Sequence, residues 1–378
     1  MQPIIIVGSG LAGYTVAREF RRLNPNIPLQ IITSDEGDFY SKPMLSNAFF
    51  LKKAPQELVN VPASRMAVQL NAEIFPHTHV TQLLPEQHAL LVGKECFPYN
   101  QLVLACGATP LPLNFDQGKI FYVNHLSDYS KFREVLRGVK RITIIGAGLI
   151  GCEFADDLQQ AGFLVTVIGR GTYPLNRIMP EAVGRVLQKA LENLGVTWQL
   201  GKTVLHIENT SPGYRLTLSD HSFVETDIIL SATGLRPRTE LAASAGLTVR
   251  QGIVVNRHLQ TNVDNIFALG DCAEVEGLVL PYVMPLMNAA RVIASNLTGQ
   301  FTLVSYPAFP IVVKTTTCPM VAYLPPVPIQ GQWEIEAQGQ DVRALFYRSD
   351  GELVGFALTG TKQTEKMALL KKVPPLLK

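Results

Sequence analysis

Cysteine is sparse in this 378-residue chain: Cys96, Cys106, Cys152, Cys272 and Cys318, with no CxxC among them and an odd total. That pattern excludes a closed disulfide framework, and each thiol is expected to be buried and structural, as suits a reducing cytosol. No cysteine lies between Gly13 and Cys96. The seven histidines are scattered. Their only close pair, His77-Thr-His79, has nothing near it to complete a ligand set, so no metal site is expected. Charge of one sign is also lacking: a net +2 gives no general attraction to nucleic acid or another polyanion. No uninterrupted apolar run reaches membrane-spanning length, so stable membrane insertion is not expected. The first strand begins near residue 3, which leaves no room for a targeting segment and predicts a cytoplasmic protein.

An apolar content of 47% with 17% charge describes two or three well-packed domains. The stretch Ile4-Ile-Ile-Val-Gly8-Ser-Gly10-Leu-Ala-Gly13 recurs as Ile142-Thr-Ile-Ile-Gly146-Ala-Gly148-Leu-Ile-Gly151. Each copy reads as a buried strand, a tight turn and a helix start. The first glycine permits the turn, the second lets backbone approach a pyrophosphate, and the third packs helix on strand. The helix N-terminus attracts the phosphate charge. The pattern predicts helices over Leu11–Leu23 and Leu149–Gln160, followed by strands over 29–33 and 164–168. Strand-helix-strand order implies parallel sheets with right-handed crossovers. Two dinucleotides in one protein point to electron transfer between them.

Two further stretches echo each other. Gln101-Leu-Val-Leu-Ala105-Cys-Gly107-Ala-Thr109-Pro110 precedes the second unit, and Ile228-Ile-Leu-Ser-Ala232-Thr-Gly234-Leu-Arg236-Pro237 follows it. Small residues there let the chain pass close to a nucleotide and mark crossings between domains. Asn265–Asp271, a strand ending in Gly270-Asp271, and a helix near Val283–Leu297 read as completing the first unit. The expected division is an FAD-binding domain at 1–110 and 235–304, an NAD(H)-binding domain at 111–234, and an α+β domain at 305–378. In the last, Ile311-Val-Val, Asp341–Tyr347 and Leu353–Leu358 read as antiparallel strands and Lys362–Leu370 as a closing helix.

The paired fingerprints, Ala232-Thr-Gly234 and Gly270-Asp271 resemble the two-dinucleotide flavoproteins typified by glutathione reductase. Asp38-Phe-Tyr-Ser-Lys42-Pro43-Met-Leu-Ser46, Gly148-Leu-Ile-Gly-Cys-Glu-Phe154, Tyr282–Met287 and Pro310–Thr315 narrow the resemblance to the rubredoxin–NAD reductase branch. The resemblance implies an α/β fold of two Rossmann-like domains, the second inserted in the first, with a small α+β domain. It implies hydride transfer from NADH to FAD and single-electron delivery to rubredoxin, commonly in support of alkane hydroxylation. FAD can accept a hydride and release electrons one at a time, which nicotinamide cannot.

On that resemblance, Gly8, Ser9, Gly10, Leu11, Ala12 and Gly13 cradle the FAD pyrophosphate, and Val80, Ala105 and Gly107 lie along the same cofactor. No acid ends the 29–33 strand at the usual place, so the ribose contact falls on Thr33, Ser34 or Asp35. Lys42 and Pro43 flank the flavin ring, where a cation favours negative charge on the reduced ring. Gly270 and Asp271 meet the ribityl chain, the helix start at Val283 offers free N–H groups, and Lys314 is a further flavin contact. Gly146, Gly148, Leu149, Ile150, Gly151 and Gly234 hold the NAD(H), with Glu153 at the nicotinamide–flavin contact. Lys42 and Glu153 are the catalytic candidates. Arg170 ends the 164–168 strand where an acid often stands, and could meet a 2′-phosphate; NADH is nonetheless expected, with NADPH left open.

The missing cysteines bear on the chemistry. Disulfide-using relatives carry CxxxxC on the helix facing the flavin, and peroxidase relatives carry one Cys there; Ser41-Lys42-Pro43-Met44 stands in that region here. A thiol relay is therefore not expected. Docking of a small acidic acceptor is expected on Lys42, Lys362, Lys366, Lys371 and Lys372. The alternatives are a ferredoxin or flavorubredoxin reductase on the same frame, an NADH oxidase or peroxidase, and a non-enzymatic redox-sensing flavoprotein.

Overall fold

The computed structural model describes residues 2–115, 118–325 and 329–378. One sheet has five parallel strands in the order Ile266–Ala268, Gln101–Leu104, Ile4–Val7, Leu29–Ile32, Glu73–Phe75. A second repeats the plan with Ile120–Tyr122, Ile228–Ser231, Arg141–Ile145, Leu164–Gly169 and Thr197–Leu200, again all parallel. Continuous apolar runs such as Ile4-Ile5-Ile6, wholly buried, fit strands covered on both faces. Each fingerprint strand is central, so its C-terminal end and the helix that follows face the crevice where the strand order reverses.

Helices Leu11–Leu23, Leu149–Gln160 and Val283–Leu297 run over the residues the pattern predicts. The first buries Tyr14, Val16, Ala17 and Phe20; in its last turn Arg21 is half-buried and donates to the Ile27 and Asn71 carbonyls, while Arg22 is exposed. The two echoing stretches pair with each other: Ala108–Pro110 runs antiparallel to Leu235–Pro237, with Ala108 opposite Pro237. The chain thus leaves and re-enters the first unit side by side.

The last part is an antiparallel sheet in the order Ile311–Val313, Met320–Tyr323, Leu353–Thr359, Asp341–Arg348, Gly331–Gln338. One face of it is not separate from the rest. Val313, Met320, Ala322, Val342 and Ala344 share a single apolar cluster with Phe154 and Leu187 of the second unit and with Leu45 and Ala48 of the turn after Lys42. Among the described residues no helix is long and apolar enough to cross a membrane.

Two expectations are corrected. The closing helix over Lys362–Leu370 is a 3-10 turn, Gly360–Glu365, leading into a short α-helix, Lys366–Leu370. Gln363 Nε2 and Thr364 Oγ1 donate to the Gly360 and Thr361 carbonyls, which competes with the α-helical ladder. The thiols also differ in burial. Cys152, Cys272 and Cys318 are buried, but Cys106 is half-buried and Cys96 is exposed on a strand of a small antiparallel sheet.

Candidate functional site

The two fingerprints solve the same steric problem in the same way. Gly8 has φ +115° and Gly146 has φ +122°; a Cβ on either would lie well inside 3.0 Å of the Ala105 or Ala232 carbonyl. A Cβ on Gly13 or Gly151 would strike the carbonyl of Gly8 or Gly146 equally hard. These four glycines are therefore demanded by the protein's own packing. Gly10 and Gly148 are not: nothing lies within 4 Å of where their Cβ would be. Each caps its helix with no side-chain hydrogen bond and no acid in the first turn. The result is two bare, positively polarised helix ends with an empty approach, which is what a pyrophosphate requires. The donor set and the space fit two dinucleotides.

Beside the first cradle, Ser9 Oγ donates to Thr33 Oγ1 and to Asp35 Oδ1, both at 2.9 Å. Thr33 Oγ1 and the Gly37 N–H also donate to Asp35 Oδ1, at 2.6 and 3.0 Å. One carboxylate oxygen is thus locked by three donors while the residue stays half-buried. Ser34 is exposed and Thr33 buried. Val80 and Ala105 belong to the first unit's core. Gly107 holds φ +70° at the crossing, and Gly234 holds φ +125° with its Cβ position near Leu111. At the second cradle Leu149 is half-buried, Ile150 is 42% exposed, and Arg170 stands exposed just past the strand end at Gly169.

Gly270 has φ +75° and packs against Ala12, which brings the Gly270-Asp271 turn to the first fingerprint helix. Burial pushes the Asp271 carboxyl up and the Lys42 ammonium down, and each pulls the other back toward its charged form. Arg238, just past the returning strand, sits in the same group. Its Nη2 donates to His125 Nε2 at 3.0 Å and its Nη1 to the Cys106 carbonyl at 3.4 Å. Burial, Lys42 and Arg238 together lower the His125 pKa, so the imidazole accepts rather than donates at Nε2. Helix Val283–Leu297 begins nearby in sequence with no side-chain cap, and Val283 is 45% exposed.

Glu153 and Lys314 form a second centre. Glu153 is wholly buried, and Lys314 Nζ lies 2.9 Å from its Oε2. Ser46 Oγ donates to Oε2 at 2.6 Å and the Lys314 N–H to Oε1 at 3.1 Å. Lys314 Nζ also donates to the Pro43 carbonyl, to Ser46 Oγ at 3.2 Å and to Asn47 Oδ1 at 3.3 Å. One helical turn on, the buried Asp156 accepts from the Thr316 N–H and the Thr317 hydroxyl. Asp157 accepts from the Phe49 and Phe50 N–H groups. Three carboxylates of one helix therefore bind both the 42–50 turn and the 314–317 turn.

The structure thus gathers Gly8–Gly13, Thr33 and Asp35 at one end, and Pro43, Glu153 and Lys314 at the other. Lys42 and Asp271 lie close enough to influence each other's charge, without a direct ion pair among the described contacts. Sequence reading missed Ser46, Asn47, Asp156, His125 and Arg238. For Ser46 and Asn47 the one signal is a polar pair between Leu45 and Ala48; Arg238, within Arg236-Pro237-Arg238-Thr239-Glu240, carries none. Of the docking lysines, Lys362 is engaged 4.0 Å from Glu365.

Comparison with known proteins agrees with this geometry. Residues 2–293 match the pyridine nucleotide-disulphide oxidoreductase family, and residues 303–373 match a rubredoxin binding C-terminal domain. The chain is 43% identical to a rubredoxin-NAD(+) reductase of Alcanivorax borkumensis, over 100% of both chains. It is 35% identical to a nitric oxide reductase FlRd-NAD(+) reductase of Aliivibrio fischeri, over 98% of both. Among solved structures, a ferredoxin reductase from Rhodopseudomonas palustris superposes with a TM-score of 0.89 at 24% identity, over 100% of this chain and 96% of that one. The reductase in a covalent putidaredoxin reductase–putidaredoxin complex gives 0.88 at 23%, over 99% and 94%. The chain belongs to the pyridine nucleotide-disulphide oxidoreductase family.

Proposed function

We propose that this protein is an FAD-dependent reductase that oxidises NADH and passes single electrons to rubredoxin. The observation that carries the two-cofactor part is the pair of uncapped helix ends whose second glycines, Gly10 and Gly148, face open space. The acceptor rests on the rubredoxin binding model matched over 303–373 and the full-length similarity to a rubredoxin-NAD(+) reductase. FAD, when bound, supplies the conversion of a two-electron hydride into two one-electron steps.

The residues divide the work. The N–H groups after Gly10 hold the FAD pyrophosphate, and Asp35, pre-oriented by Ser9 and Thr33, takes the adenosine ribose. The N–H groups after Gly148 hold the NADH pyrophosphate. Lys42 supplies positive charge beside the ring that receives the hydride, and Asp271 anchors the ribityl chain while keeping Lys42 charged. Glu153, fixed by Ser46 and Lys314, orients the nicotinamide edge. No protein general acid is needed for the hydride step. The proposed domain division is 1–110 with 235–304 for FAD, 111–234 for NADH and 305–378 for the acceptor. The proposed setting is the cytoplasm, with an alkane hydroxylase as the electron consumer downstream of rubredoxin.

Anaerobic stopped-flow mixing tests this reading. NADH should bleach the flavin band of the purified protein faster than NADPH, and the reduced protein should then be reoxidised faster by rubredoxin than by a two-iron ferredoxin or a flavorubredoxin. A colourless protein that takes up no flavin refutes the cofactor assignment. Bleaching by NADPH alone refutes the nucleotide assignment, and preference for another acceptor refutes the third.

A further inference from the structure

Lys314 stands one residue past strand Ile311–Val313, inside the 303–373 segment that matches the rubredoxin binding domain, yet its ammonium reaches out of that segment. Its partners are Glu153 of the second-unit helix and Pro43, Ser46 and Asn47 of the first unit. The turn that carries it is clamped. The Lys314 carbonyl accepts from Asn47 Nδ2 at 2.8 Å, Thr316 is held by Asp156 at 2.6 Å, and Gln160 Nε2 donates to Thr316 Oγ1 at 2.6 Å. The ion pair is asymmetric: the Glu153 side chain is 0% exposed and the Lys314 side chain 31%. Two residues earlier Val312 is 48% exposed between the buried Ile311 and Val313, so the strand turns one side chain outward, two positions before Lys314.

We propose that Lys314 is a positioning residue through which docking of rubredoxin, a small acidic carrier, on the Val312 side of this strand is felt at the flavin. This rests on the rubredoxin-reductase reading above. A charge pair that reaches from dry interior to water is weakened by the water at its outer end. An acceptor seated there expels that water and strengthens the field of the Lys314 charge at Glu153 and the Pro43 turn. The clamps on Thr316 and Asn47 keep the turn from yielding, so the effect is a change of field at fixed geometry rather than a hinge motion. Acidic residues of the carrier act on the same pair from outside with the opposite sign, and only in the docked state. The pair therefore lets the protein distinguish the docked from the free state without moving a domain.

The test uses the flavin-loaded protein and zinc-substituted rubredoxin, which binds without exchanging electrons. Titrating it into the wild type should produce a saturable change in the visible flavin spectrum. Calorimetry on the same samples reports binding. The change should persist in Lys314→Arg and vanish in Lys314→Gln while binding remains. Lys314→Gln leaves Glu153 buried without its cation. The double variant Lys314→Met/Glu153→Gln removes both charges, and gives the same readout if the single variant loses its flavin. An unchanged difference spectrum in Lys314→Gln or in the double variant, or saturated binding with a silent spectrum in the wild type, overturns the coupling and leaves the acceptor assignment intact. No binding to the wild type overturns the acceptor assignment and the coupling with it.

Discussion

Replacing Gly10 with alanine should separate folding from cofactor binding within a single motif. Gly10 has φ −66° and ψ −175°, which alanine adopts without strain, and its new methyl meets no protein atom within 4 Å. Unfolded-state entropy favours the alanine by about 0.4–1 kcal/mol, while alanine is a slightly poorer helix cap than glycine. The flavin-free protein should therefore keep its stability to within about 1 kcal/mol. Gly13→Ala is the opposite case. Its methyl would fall on the backbone carbonyl of Gly8, itself fixed at φ +115°, so no flexible side chain can give way. Overpacking of that kind costs about 1–3 kcal/mol and more where backbone must move. For FAD the order reverses in origin. The Gly10 methyl stands where the pyrophosphate must approach the helix end, and losing two charge-assisted hydrogen bonds at about 1.5 kcal/mol each weakens binding about 100-fold. Urea unfolding of the flavin-free proteins and titration by flavin fluorescence quenching measure the two effects. Wild-type FAD affinity in Gly10→Ala, or a flavin-free Gly10→Ala as unstable as Gly13→Ala, would refute the assignment of Gly10 to the ligand and Gly13 to the fold.

Burial lifts the Asp157 carboxyl from 3.8 to about 6, against the pull of the Phe49 and Phe50 N–H groups; Asp156 adds to the rise and Arg133 opposes it. The folded state therefore binds this proton more tightly than the unfolded state, and the group favours folding more as pH falls through about 6 toward about 4. Asp157→Asn relative to wild type should accordingly look better at pH about 7.5 than at about 4.5, by roughly 2 kcal/mol in denaturant unfolding. A difference independent of pH would contradict this. Reduction of rubredoxin should slow as salt rises, through KM more than kcat, if lysines such as Lys371 and Lys372 steer the acidic carrier. An acceptor rate insensitive to ionic strength would exclude that steering.

The fingerprints were legible because their constraints are local. A tight glycine turn, a helix start three residues later and an apolar strand before it are fixed by neighbours within about a dozen residues. Hence Leu11–Leu23, Leu149–Gln160 and Val283–Leu297 fall on the residues their pattern indicates, whereas the equally long Glu181–Leu194, outside any such motif, was missed. The family resemblance was legible for the same reason, since it is carried by short motifs. The closing helix was misjudged because Thr and Gln side chains compete for local carbonyls, which hydrophobic spacing does not register. Cys96 was misjudged because burial depends on what covers a strand.

The sequence alone determined the two glycine fingerprints, the lack of any cysteine between Gly13 and Cys96, and an antiparallel appendix. The tertiary structure decided which charges meet. Ser46 and Glu153 are 107 residues apart, and Glu153 and Lys314 are 161 apart. Arg238 reaches His125 across 113 residues, through a crossing whose two strands lie on either side of the inserted unit. No periodicity encodes such partnerships. They follow from the way two parallel sheets and an antiparallel one close around a shared apolar cluster, which leaves each buried carboxylate only the donors that the packing delivers to it.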